Sequence, residues 1–230
     1  MSEIPKSDDL LQNSMQRVAT GQAEDDGAEE KDTGRVEAFS DGVFAIAITL
    51  LVLFIQPPTK NTGGLLLALA HEWTSYAAYA VSFLLILVMW INHHNLFKVI
   101  MRVDNIFLLL NGLLLMVITF VDFPTSLLAQ YINSPDGRWI MAFYSAIFTL
   151  ISLLYQAVWW YAIHHNRLIR ANADRQAIAK TTRQYRFGPL VYVLALALAF
   201  VSPWASLILN ATLAVYFAGT GSSLLTAVRR

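Results

Sequence analysis

The sequence predicts an all-α integral membrane protein of six transmembrane helices with both termini cytoplasmic. Three observations predict it. Of 230 residues, 56% are hydrophobic and 14% charged, with a mean hydropathy of +0.49, a balance outside the range of disordered chains and high for a soluble one. Apolar stretches long enough to cross a bilayer recur after residue 33. Lys and Arg gather in alternate connections between those stretches. Sixteen Lys and Arg cancel sixteen Asp and Glu, so no global basic field exists to hold nucleic acid. With no cysteine, disulfides, thiolate metal sites and a Cys nucleophile are excluded.

Residues 1–33 read as a solvated, disordered acidic cytoplasmic tail, with Glu3, Asp8, Asp9, Glu24, Asp25, Asp26, Glu29, Glu30 and Asp32 among small polar residues. It lacks the basic and apolar regions of a cleavable signal, so the first apolar helix is expected to act as its own uncleaved anchor. Residues 34–224 form the expected transmembrane domain, and 225–230 a short basic tail. About 20 residues at 1.5 Å each cross a hydrocarbon core. The spacing predicts spans at 36–55, 75–97, 105–128, 139–163, 187–202 and 204–222. Pro189 suits the first turn of the fifth. Because Pro203 follows closely, the fifth and sixth also read as one broken hydrophobic hairpin.

Short cytoplasmic loops are enriched in Lys and Arg. Under the six-span reading, fourteen of the sixteen fall on one side, and only Lys60 and Arg138 on the other. The segment between the fourth and fifth spans holds Arg167, Arg170, Arg175, Lys180, Arg183 and Arg186, which fits orientation and contact with anionic lipid. Trp73, Tyr76 and Trp139 outside, and Trp159, Trp160, Tyr161 and Tyr185 inside, read as interfacial anchors.

The first span is not an ordinary lipid-facing anchor. Ser40, Asp41 and Gly42 lie about 10 Å past its expected start, where a carboxylate must face protein or water. Arg35 sits six residues before Asp41, about 120° round the helix, so the partner of Asp41 is expected on another helix or subunit. A favourable charge near the positive end of a helix is the plainer reading of Ser40 and Asp41. Gly42, Ala45 and Ala47 suit close helix contact, while Ile46, Thr49, Leu50 and Leu53 recur at i, i+3, i+4 and i+7. Periodicity alone leaves open whether that stripe lines a path or packs in a core.

The string Arg35-x-x-x-Phe39-Ser40-Asp41, followed by Gly42-Val-Phe-Ala-Ile46-Ala-Ile-Thr49-Leu50-Leu51-Val-Leu53, resembles the signature of the transmembrane protein 175 family of potassium channels. Looser similarity runs through Trp90-Ile-Asn-His-His94-Asn-Leu-Phe97 and from Asn105 to Phe123-Pro124-Thr125. The resemblance implies a potassium-permeable channel, a homotetramer in which the first helices surround the path, set in the inner membrane of a prokaryote. It implies Ile46 as the narrowest hydrophobic ring and gate, Thr49 as a polar ring beside it, and Leu50 and Leu53 lining the path. It implies that Arg35, Phe39, Ser40 and Asp41 form a network with Trp90 and His94. Monovalent cations would be the permeant partners, and no cofactor is implied. The chain carries no Thr-Val-Gly-Tyr-Gly filter and no polar re-entrant loop, so selectivity is expected from a constriction, with only moderate discrimination of potassium from sodium.

Remaining features give weaker signals. Residues His93 and His94, and His164 and His165, are adjacent and point about 100° apart, poorly placed to chelate one ion. A structural or pH-tuning role fits His94 better than His93. Asp122 reads as a capping or loop carboxylate, or as a cation attractor at the outer mouth. Asn105 and Asn111 suit interhelical hydrogen bonds. A proton-coupled secondary transporter using Asp41 and His94 is the alternative function, disfavoured by the lack of an inverted repeat. An intramembrane hydrolase is not expected, since no Gly-x-Ser-x-Gly or His-Glu-x-x-His string occurs.

Overall fold

A computed structural model describes residues 33–58, 64–164, 168–169 and 175–227, without side chains at 177, 180 and beyond 217. The acidic tail, Lys60, His165, Arg167 and Arg170 lie outside the described residues. The helices are α1 (Thr33–Phe54, its last turn Leu51–Phe54 a 3₁₀ helix), α2 (Leu65–His71), α3 (Trp73–Phe97) and α4 (Asn105–Thr119). They continue with α5 (Asp122–Tyr131), α6 (Gly137–His164), α7 (Arg175–Ala199) and α8 (Pro203–Ala227). Among the described residues, Thr33–Phe54, Trp73–Phe97, Asn105–Tyr131 and Gly137–His164 are long and apolar enough to cross a membrane.

Helix α6 is the hub, packed on α4, α5, α7 and α8, while α3 packs on α5, α8 and the last turn of α1. Their shared core holds Leu85, Phe107, Ile118, Tyr144, Phe148 and Ile151, all at most 1% exposed. Lipid tails are as apolar as these side chains, so close packing and buried polar bonds must hold helix to helix. Gly188 shows the closeness: a Cβ there would come within 3.0 Å of Ser152 Oγ on α6. A Cβ at Gly137 would collide with the Ile132 carbonyl, so only glycine permits the tight entry into α6.

Three features differ from the expectations. The third span is broken: α4 stops at Thr119 and α5 starts at Asp122. Pro124 lacks an N–H and its ring crowds the carbonyl four residues back, that of Phe120, which instead accepts from Phe123 N at 3.2 Å. Asp122 is thus the first residue of a second helical segment, with Oδ1 buried. Pro189 does not open a helix but lies inside α7, which begins at Arg175. Arg175, Lys180, Arg183 and Arg186, expected in a loop, therefore lie in the first turns of α7, because a bundle re-satisfies the bond a proline breaks. Trp159 is not an exposed anchor: it is 3% exposed and donates from Nε1 to Thr182 Oγ1 at 2.9 Å. Trp73, Trp139 and Trp160 are exposed as an interfacial belt requires.

Among the described residues, Arg35, Lys98, Arg102 and the arginines that open α7 gather at one end of the bundle, and Arg138 stands apart from them at the start of α6. Thr33 Oγ1 donates to Met101 O at 2.8 Å, and Met101 N to Leu168 O at 2.7 Å, beside a lone bridge between Ile100 and Ile169. Tyr185 OH reaches Asn92 O at 3.4 Å. These contacts put the start of α1, the α3–α4 turn with Lys98 and Arg102, and the basic half of α7 together. At the far end Trp73 stacks on Trp204, whose Nε1 donates to Asn133.

Candidate functional site

Helix α1 has two faces of opposite character. At 100° per residue, Glu37, Ser40, Asp41, Phe44, Ala47 and Leu51 fall on one side and turn toward α3 and α4. Ser40, Phe44, Ala47 and Leu51 are buried. On the other side, Arg35, Phe39, Gly42, Ile46, Thr49, Leu50 and Leu53 fall within a band of about 100°. All seven are exposed, with Phe39 at 66%, Ile46 at 58% and Leu53 at 64%. A long apolar stripe left open on a helix in this way marks a surface that something covers.

The buried side carries three polar links to neighbouring helices. Trp90 Nε1 donates to Asp41 Oδ1 at 2.8 Å, so the carboxylate finds its partner on another helix, as its distance from Arg35 required. His94 Nδ1 meets Glu37 Oε1 at 2.8 Å, and the His94 ring stacks on Trp90. The third link is a directed chain. Ser40 Oγ gives its hydrogen to Val36 O at 2.8 Å, so it must accept from Asn111 Nδ2 at 3.0 Å. Asn111 Oδ1 is then an acceptor and His93 Nε2, 2.9 Å away, a donor. That assignment makes His93 Nδ1 a bare acceptor, buried and without a partner among the described residues. Phe44 and Phe97 flank the ring, with centroids 5.2 and 4.8 Å away.

The structure brings together Ser40, Asp41, Trp90 and His94 and places Arg35 and Phe39 on the open side. Arg35 and Phe39 instead line a groove of about 570 Å³ with Asn105, Leu108 and Gly112 of α4. Glu37 and His93 are the members that sequence reasoning missed. Their signal was positional: Glu37, Ser40, Asp41 and Phe44 recur at i, i+3, i+4 and i+7, and Trp90, His93, His94 and Phe97 repeat that pattern on α3. Asn111 makes the interhelical bonds expected of it, and Asn105 makes no side-chain bond among the described residues. No group of three or more metal-ligating side chains occurs among the described residues.

Thr49, on the open stripe, has its hydroxyl 2.9 Å from both Ala45 O and Ile46 O. The hydrogen is spent on its own helix, which leaves the oxygen lone pairs available to the open side. No Cβ-range neighbour lies within 4 Å of Gly42.

The family described as "Endosomal/lysosomal potassium channel TMEM175" matches residues 35–121, the stretch that supplies every member of this network. A potassium channel of Chamaesiphon minutus is 49% identical over 193 residues, covering 83% of this chain and 95% of the relative. The chain belongs to the TMEM175 family. A potassium channel of Streptomyces collinus is 44% identical over 188 residues, or 81% of this chain and 91% of the relative. The chicken protein named as an endosomal/lysosomal proton channel is 34% identical over 143 residues, of which this chain spans only 28% of the length. Among solved structures, a lysosomal potassium-selective channel TMEM175 homolog from Chamaesiphon minutus superposes with a TM-score of 0.78 at 46% identity. That match covers 84% of this chain and 99% of the other. The relatives are named as channels, and the all-helical architecture with long apolar helices is shared with the family.

Proposed function

We propose that this TMEM175-family chain is one subunit of a homotetrameric, potassium-permeable cation channel. Six spans per subunit, with cytoplasmic termini, would set it in the inner membrane of a prokaryote. The observation that supports the reading best is the two-sidedness of α1. Three polar links hold one side, while the stripe from Ile46 to Leu53 stays open for an axis shared by four copies. A ring of Ile46 side chains, when narrow, dewets and stops ions without any charged gate, and a small outward movement of the helices re-wets it. Thr49 Oγ, with its hydrogen spent on the backbone, offers acceptor lone pairs to a partly dehydrated cation one turn away. Leu50 and Leu53 continue the apolar wall. The links at Ser40, Asp41 and Glu37 hold the helix in register beneath the constriction, and neither a cofactor nor catalytic chemistry is required.

The deciding experiment measures potassium and sodium flux through purified protein in liposomes, wild type against Ile46→Asn. The polar ring should stay wet and pass more of both ions. Unchanged flux would remove Ile46 as the constriction. Native mass spectrometry in mild detergent should find four copies, and a stable monomer would defeat the shared axis.

One observation favours a second reading, the proton-coupled transporter using Asp41 and His94. The His94–Glu37 pair is an imidazole beside a carboxylate with side chains 42% and 27% exposed, which suits proton exchange with the cytoplasm. Ion movement only under a proton gradient, abolished by Asp41→Asn or His94→Gln, would establish it.

A further inference from the structure

A second feature lies away from α1, between α7 and α8. Between them runs a groove of about 590 Å³, within the roughly 300–1,000 Å³ of ordinary ligand sites. Its mouth is formed by Arg183 and Gln184, and its walls by Phe187, Val191, Leu213 and Phe217. The polar mouth lies at the end of the bundle where α7 meets the last turns of α3, as the Tyr185–Asn92 contact shows. The apolar walls run from there toward the middle of the bundle. Arg183 is exposed and has no acidic partner among the described residues, and Arg186, one turn on, is exposed in the same way.

The groove contains no residue of α1, whose open stripe is the proposed ion path, and a soluble polar ligand would leave its apolar walls uncovered. The polarity of the groove, a cation at the basic end and hydrocarbon behind it, is that of a phospholipid standing in the leaflet. By the distribution of Lys and Arg that leaflet is the cytoplasmic one, whose anionic headgroups attract such side chains. An arginine holds a phosphate through two parallel N–H donors. We infer that the α7–α8 groove binds one anionic phospholipid of the cytoplasmic leaflet, its phosphate on Arg183 and Arg186 and an acyl chain along Phe187, Val191 and Leu213.

The test uses the full chain in mild detergent, offered equal amounts of dioleoyl phosphatidylglycerol and dioleoyl phosphatidylcholine. Retained lipid is counted by native mass spectrometry, a readout independent of conduction. Wild type should retain phosphatidylglycerol several-fold over phosphatidylcholine. Arg183→Gln with Arg186→Gln should erase that preference while leaving total lipid similar, and Val191→Phe, which narrows the groove, should lower retention of both. Equal preference in wild type and the double arginine variant would overturn the site. So would a preference that appears only when Glu24, Asp25, Asp26, Glu29 and Glu30 are neutralised to Gln or Asn, since the acidic tail would then be the occupant. Loss of preference in Lys98→Gln instead would move the site to the α3–α4 turn and overturn it as well.

Discussion

Among the buried polar clusters that hold this bundle together, two contrast, and one of them sits on the helix whose open stripe is proposed to face a shared axis. In the first, Ser40, Asn111 and His93 link α1 to α4 and α3, with Asp41–Trp90 and Glu37–His94 beside them. In the second, Ser145, Ser206 and Asn210 tie α6 to α8. There Ser206 Oγ donates to Ala195 O at 2.7 Å, and Asn210 Nδ2 lies 3.3 Å from Ser145 Oγ. Both bridge helices. The first contains two carboxylates and two imidazoles and lies partly exposed at the basic end, while the second holds only hydroxyls and an amide, each 0% exposed. The comparison teaches that a buried polar group in a membrane bundle is not in itself a functional mark. What sets the first cluster apart is ionisable groups bonded across helices behind the open stripe of α1, the feature on which the proposed function rests.

Substitutions can break that comparison or sharpen it. Asn111→Leu has the largest expected effect, because it strands both His93 Nε2–H and Ser40 Oγ. It should cost about 1–3 kcal/mol in detergent unfolding and also change ion flux per folded protein. Trp90→Phe keeps an aromatic ring, a smaller one, but removes the donor to a charged acceptor, and should cost about 1–2 kcal/mol with a similar change in flux. Asn210→Leu should cost at most about 1 kcal/mol, since Asn210 Oδ1 is already without a partner. Its flux per folded protein should equal wild type, and a large flux effect there would erase the distinction between the clusters. Thr49→Val should leave stability within about 0.5 kcal/mol while lowering the potassium-to-sodium flux ratio. An unaltered ratio would take Thr49 out of selectivity.

Much of this was legible in the residues. The first span was expected at 36–55 and is Thr33–Phe54, because its apolar run is bounded by charge on one side and Pro57 and Pro58 on the other. Asp41 was expected to find its partner on another helix, and it does. Glu37 was overlooked because a carboxylate in the first turn of a helix looks like an ordinary interfacial charge, until His94 is seen 2.8 Å away. His93 was ranked below His94 because adjacent helical residues differ only in azimuth, and nothing local says which of the two faces the core. The break at Phe120 did have a local cause in Pro124, whereas the placement of Pro189 inside α7 depended on whether the basic turns before it would be helical.

By itself, then, the sequence determined the helical, membrane-embedded class, the end of the bundle that gathers positive charge, and the angular layout of side chains on α1. These depend on composition and on the 3.6-residue period, which are local properties. Tertiary structure decided which angular sector of α1 is buried, that Asn111 rather than a charged residue receives Ser40, and that His93 points inward. Those outcomes turn on the rotation and register of α3 and α4 against α1, fixed by contacts between residues 18 to 71 positions apart. Separations of that size join different helices, and no periodicity within one helix encodes how another will be turned.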